Sequence, residues 1–140
     1  MNTTTQNEDV KINVKIKLSA LWATIMFLYI YADILSLFRS GQVQEILKGM
    51  MGPFPATQGS LLTASILMII PALMVFLSLA LNAKANRNVN ILFGALYTLV
   101  NISNLIGETW MYYLLFGAVE IICTALIIWL AWKWPNNNAV

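Results

Sequence analysis

Four long apolar runs alternate with polar breaks along the chain, at about residues 18–38, 60–81, 89–106 and 111–132. Each is close to the roughly twenty residues that carry a helix, rising about 1.5 Å per residue, across a bilayer. The first run is too long for a signal-peptide core and no cleavage site follows it, so it predicts an uncleaved span. The fold class predicted is all-α: a membrane-embedded antiparallel four-helix bundle over residues 18–134, with tails at 1–17 and 135–140.

The breaks carry their own pattern. In the longest, 39–59, the side chains Val43, Ile46, Leu47, Met50 and Met51 recur at helical spacing, with Gln42, Gln44, Glu45 and Lys48 opposite. This predicts a short amphipathic helix at the membrane surface, stopped by Gly49, Gly52, Pro53 and Pro55. Asn82–Asn88 and Gly107–Trp110 read as short turns. Pro71 sits inside the second run, where it removes one backbone donor and frees the Leu67 carbonyl. Neighbouring helices satisfy such groups in membranes.

Composition sharpens the class. Of 140 residues 59% are hydrophobic and 10% charged, against about 25% charged in soluble domains. Lipid has to cover that apolar surface, so the bilayer is the first partner. A net charge of +2 with no basic, aromatic-interleaved patch excludes nucleic acid. Lys11, Lys15, Lys17, Lys84, Arg87 and Lys133 flank one side of the predicted spans, Arg39 and Lys48 the other. The positive-inside rule then puts both termini in the cytoplasm.

The candidate chemistry lies on helix faces. Residues three and four apart share a face, and on the third run that face is Gly94, Tyr97, Asn101, Asn104 and Glu108. The first run contributes Trp22, Met26, Tyr29, Asp33 and Ser36; the fourth Tyr113, Gly117, Glu120 and Thr124; the second Gln58, Thr63, Ser65 and Ala72. Stripes this ordered predict polar groups facing a bundle interior. By depth they converge toward the outer end, over an inner half of Leu, Ile, Val, Ala and Met. The candidate pocket is Tyr29, Asp33, Tyr97, Asn101, Asn104, Glu108, Glu120 and Thr124. Asp33 and Glu120 have no lysine or arginine at their level, and an isolated charge in hydrocarbon costs several kcal/mol. Three outcomes follow: protonated acids bonded to Asn101 and Tyr97, one shared proton, or a bound cation.

Two readings compete for these residues. Buried amides and hydroxyls serve as interhelical glue worth about 0.6–2 kcal/mol each. Glue does not need an ionisable group, which favours a functional role for the two carboxylates. No histidine and a single cysteine, Cys123, leave no His-based or thiol-pair metal or redox centre. The reading leans away from an enzyme, with no catalytic residue, cofactor or metal assigned. A lipid-directed enzyme would need a nucleophile or a metal.

The runs Lys15-Ile16-Lys17-Leu18-Ser19-Ala20-Leu21-Trp22 and Tyr31-Ala32-Asp33-Ile34-Leu35-Ser36-Leu37, with Ala85-Asn86-Arg87 and Glu120 through Trp134, are similar to a family of small bacterial four-span membrane proteins of unknown function. The resemblance implies a bacterial inner-membrane protein and brings no activity. Quinone-coupled thiol oxidoreductases need paired cysteines, and small multidrug exporters carry a first-span glutamate where Asp33 stands here. The expectation is therefore an uncharacterised membrane protein with an outward-facing polar pocket for a proton, a cation or a small cationic or amphipathic molecule. The alternative is a non-catalytic structural or accessory protein whose polar stripes hold the bundle or a homo-oligomer together.

Overall fold

The computed structural model describes residues 11–134; residues 1–10 of the first expected tail and the whole of the second, 135–140, lie outside them. Five helices make up nearly all of it: α1 (Val14–Ser36), α2 (Gln42–Leu47), α3 (Gln58–Ala80), α4 (Ala83–Leu105) and α5 (Met111–Lys133). A two-residue strand pair joins them, β1 (Met50–Met51) and β2 (Phe54–Pro55).

Capping explains where the long helices start. The Asn13 side chain accepts from the Lys15 amide, so α1 begins at Val14, four residues before the apolar run. Thr57 and Ser60 exchange side chain–backbone bonds at the start of α3, a capping box. Asn82 accepts from the Ala85 amide at 3.0 Å, so the expected turn Asn82–Asn88 is the first turns of α4. Only Leu81 and Asn82 separate α3 from α4. Ala83, Lys84 and Ala85 are good helix formers, and the asparagines after them prove to have partners inside the fold.

Two other expectations are corrected. The amphipathic helix ends at Leu47, because Gly49 adopts a left-handed φ of 80°. Met50 and Met51 then pair with Pro55 and Phe54 around Gly52, instead of extending the helix. On α3 the expected inner stripe Gln58, Thr63, Ser65 and Ala72 is exposed, and Ala64, Leu67, Pro71, Met74 and Ser78 face inward. Thr63 and Ser65 donate to their own helix at Gly59 and Leu61, so they need no interior partner.

The four 23-residue helices run antiparallel to their neighbours. α1 packs on α3 and α5, α4 packs on α5, and α3 and α4 touch least. The core lies nearer the end that carries the α3–α4 link, here the terminal end, and holds Leu18, Trp22, Ile25, Met74, Tyr97 and Ile127, each at most 1% exposed. Outward the surface is apolar: Phe27, Leu62, Phe76, Leu115 and Trp129 are all more than half exposed. α1, α3 and α5 are long and apolar enough to cross a membrane. This is a membrane protein.

Candidate functional site

The site builds from the Pro71 interruption. The Leu67 carbonyl that proline leaves free accepts a 2.6 Å hydrogen bond from the Tyr97 hydroxyl of α4. Tyr97 packs edge-on against Trp22, ring centroids 5.8 Å apart, and these rings with Ile25 and Met74 close off the centre of the fold. Beyond that closure, toward the end carrying the longer loops, a cavity of about 200 Å³ opens.

All four long helices line it. α1 supplies Tyr29, Ala32 and Asp33; α3 supplies Ala64, Leu67 and Met68. α4 adds Tyr97, Val100 and Asn104, and α5 adds Tyr113 and Glu120. Five of the eight candidate pocket residues thus meet on one cavity: Tyr29, Asp33, Tyr97, Asn104 and Glu120. Glu120 is 6% exposed, whereas Asp33 and Asn104 stand on the exposed side of the wall. Among the described residues neither carboxylate has a hydrogen-bond or ion-pair partner.

The expected bridges between the two acids go elsewhere. Asn101, fully buried, accepts at 2.6 Å from the Tyr29 hydroxyl, and its Nδ2 is buried without a partner. Tyr97 is taken by Leu67. Thr124 faces away from the cavity: Thr98 donates to it at 2.8 Å across the α4–α5 seam. Gly94 and Gly117 let that seam close, since a Cβ on Gly94 would stand 2.8 Å from Ile128 and one on Gly117 would collide with Leu105.

Glu108 belongs to a different cluster. Arg39 donates to its Oε2 at 3.0 Å and to the Tyr112 hydroxyl at 2.6 Å. The guanidinium also lies 5.0–5.3 Å from the ring centroids of Trp110, Tyr112 and Tyr113, within cation–π range. The other carboxylate oxygen accepts from the Thr109 and Trp110 amides at the start of α5. Burial pushes the Glu108 carboxyl up, but the Trp110 and Thr109 amides and the Arg39 guanidinium outweigh it and hold the group below its ordinary range. This cluster pins the loop after α1 to the loop before α5, and Tyr113 connects it to the cavity wall.

A sequence model described as "Family of unknown function (DUF6326)" matches residues 8–140. The chain belongs to that family. No curated protein and no solved structure matches it.

At the terminal end this DUF6326 member holds a second polar network, where a dry apolar half was expected. Trp22 Nε1 donates to Asn90 Oδ1 at 2.7 Å, and Ser78 donates to the same oxygen. Asn90 donates to the Asn86 side chain at 2.6 Å, and Asn86 to the Ser78 carbonyl at 2.6 Å. Asn86, Asn90 and Ser78 are fully buried. Lys15 Nζ donates to the Leu79 and Leu81 carbonyls, closing the end of α3. Asn86 and Asn90 continue, at spacing four, the face that reaches Gly94, Tyr97 and Asn101. Asn86 lies in the expected turn and Asn90 in the third run, one helical turn before the polar face read from Gly94 onward. With donors matched to acceptors throughout, this network has a structural character.

Proposed function

We propose that the chain is a four-span integral membrane protein of a bacterial inner membrane, with the termini cytoplasmic, whose outward-facing cavity binds a cation. α4 supplies the fourth span although its composition is polar. Its asparagines and Tyr97 turn inward, while Leu92, Leu96, Leu99 and Ile102 are 40–67% exposed on the opposite face. Lipid meets that apolar stripe, and the helix backbone satisfies itself.

One observation supports the binding function: two carboxylates, Asp33 and Glu120, line one cavity with no basic group and no hydrogen-bond partner among the described residues. Buried ionisable groups in membranes ordinarily pair. Here the pairing charge comes with the ligand. The packed Trp22–Tyr97 closure makes this a one-ended site rather than a pore. The structural alternative draws support from the Asn86–Asn90 and Thr98–Thr124 networks, but those bonds join amides, hydroxyls and an indole and use no carboxylate.

The test is purified protein in detergent, with Asp33→Asn and Glu120→Gln compared with wild type. Wild type is expected to gain thermal stability with added cation, in a manner that depends on pH. The two variants should fold and lose that response. Wild-type stability that is flat with pH and unmoved by inorganic and organic cations alike would leave only the structural reading.

A further inference from the structure

Resting on that cavity as a cation site, we infer that its ligand is a primary alkylammonium: a –NH₃⁺ group on a short hydrocarbon arm. The argument starts from which hydrogen bonds are already used. Tyr29 spends its proton on Asn101 and Tyr97 spends its own on Leu67. Facing the cavity, both phenols then offer oxygen lone pairs only. Asp33 and Glu120, when ionised, are acceptors only. Glu120 is more than nine-tenths buried, lines the cavity and has no side-chain partner among the described residues. The donors left on the wall are the Tyr113 hydroxyl and the Asn104 amide, the latter on the exposed side, and neither cancels the charge of two carboxylates, so the complement brings a positive charge with donors of its own. An ammonium carries three N–H donors and no acceptor.

A metal ion fits less well. Among the described residues no group of three or more His, Cys, Asp or Glu side chains comes together, whereas Ca²⁺ takes 6–8 oxygens and Mg²⁺ needs a near-ideal octahedron. The wall opposite the acids is apolar, built by Ala64, Leu67 and Met68 of α3 with Val100 of α4. That wall suits a hydrocarbon arm. At about 200 Å³, the cavity is below the roughly 300–1,000 Å³ of drug-sized sites, which limits the arm to a few carbons. The α3–α4 side, where the helices touch least, is the least closed route in for an amphipathic ligand.

The experiment uses n-butylammonium chloride as probe with the full-length protein in detergent, read by isothermal titration and thermal shift. Tetramethylammonium (charge without N–H donors), potassium and sodium chloride, and 1-butanol (the arm without the charge) are the controls. Butylammonium should bind saturably, with the three kinds of control weaker by roughly tenfold or more, the size of a charge-assisted hydrogen bond. Glu120→Gln should weaken it similarly, and Asp33→Asn, at the exposed rim, serves if the first variant does not fold. Ala64→Phe, which fills the apolar wall, should weaken butylammonium more than methylammonium. Binding of potassium or sodium in preference to butylammonium would overturn the inference and leave a cation site standing. Equal binding of tetramethylammonium or butanol would overturn it as well. No response to any cation would remove both.

Discussion

Pro71 takes one amide donor out of α3, and Tyr97 returns a hydroxyl donor from α4. A carbonyl left bare inside a membrane costs about 1–3 kcal/mol, so Tyr97→Phe should destabilise the protein by that amount while keeping the edge-on contact with Trp22. A Pro71→Ala background restores a backbone amide that can reach the Leu67 carbonyl, and there the same Tyr97→Phe change should cost markedly less. A double-mutant cycle on unfolding in mixed detergent measures the difference. Equal costs in both backgrounds would mean that the hydroxyl is not compensating for proline. The open carbonyl at Leu67 was legible from Pro71 alone. That Tyr97 fills it was not, because the donor lies thirty residues away and only packing brings it there. For the same reason Glu108 and Thr124, alike in sequence to the pocket residues around them, end with Arg39 and Thr98.

Between elements, the closest approach is the α4–α5 seam. A methyl at Gly94 would stand 2.8 Å from Ile128 Cγ1. Gly94→Ala should therefore lower stability by about 1–3 kcal/mol, the usual cost of overpacking. Ile128→Ala removes the atom in the way, so it should cost less in the Gly94→Ala background than in wild type; additive losses would argue against the collision. The loop junction is electrostatic instead. Glu108 is held below its ordinary range, so its folded-state affinity for a proton is weaker than in the unfolded chain. Its contribution is present above the unfolded value, about pH 4.3, and is lost as pH falls through the folded one. Acid should accordingly loosen the junction first, seen as faster proteolysis or hydrogen exchange in residues 37–57. Glu108→Gln should remove that acid limb, and an unchanged profile in the variant would place the acid sensitivity elsewhere.

For the whole molecule the question is which end faces which compartment. Six lysine and arginine residues flank the terminal end and two the loop end, so the loop end is expected outside the cell. Cys123 is 7% exposed and should stay silent toward an impermeant maleimide. Gln44→Cys should label in intact cells and Lys84→Cys only after the membrane is opened. The reverse pattern would invert the topology and turn the cavity toward the cytoplasm.

Composition and periodicity by themselves determined that the chain is helical, that lipid surrounds it, and roughly where its apolar helices run. These are local properties: a helix needs only its own backbone bonds, and apolar surface declares its solvent. They also marked Asp33 and Glu120 as costly, because no lysine or arginine lies at their depth in the predicted spans. Partnership was decided only by the tertiary structure. Which stripe of α3 faces in depended on whether Thr63 and Ser65 could satisfy themselves, and they can. Asn86 joined the helix once the Asn82 cap extended α4 over it, and with Asn90 it turned inward onto Ser78 and Trp22. The polar groups of one helix face then divided into two ends, a matched network below the Trp22–Tyr97 closure and a cavity with unmatched acceptors above it. A side chain's type travels with the sequence, but whether its hydrogen bonds are already spent depends on neighbours that only folding supplies.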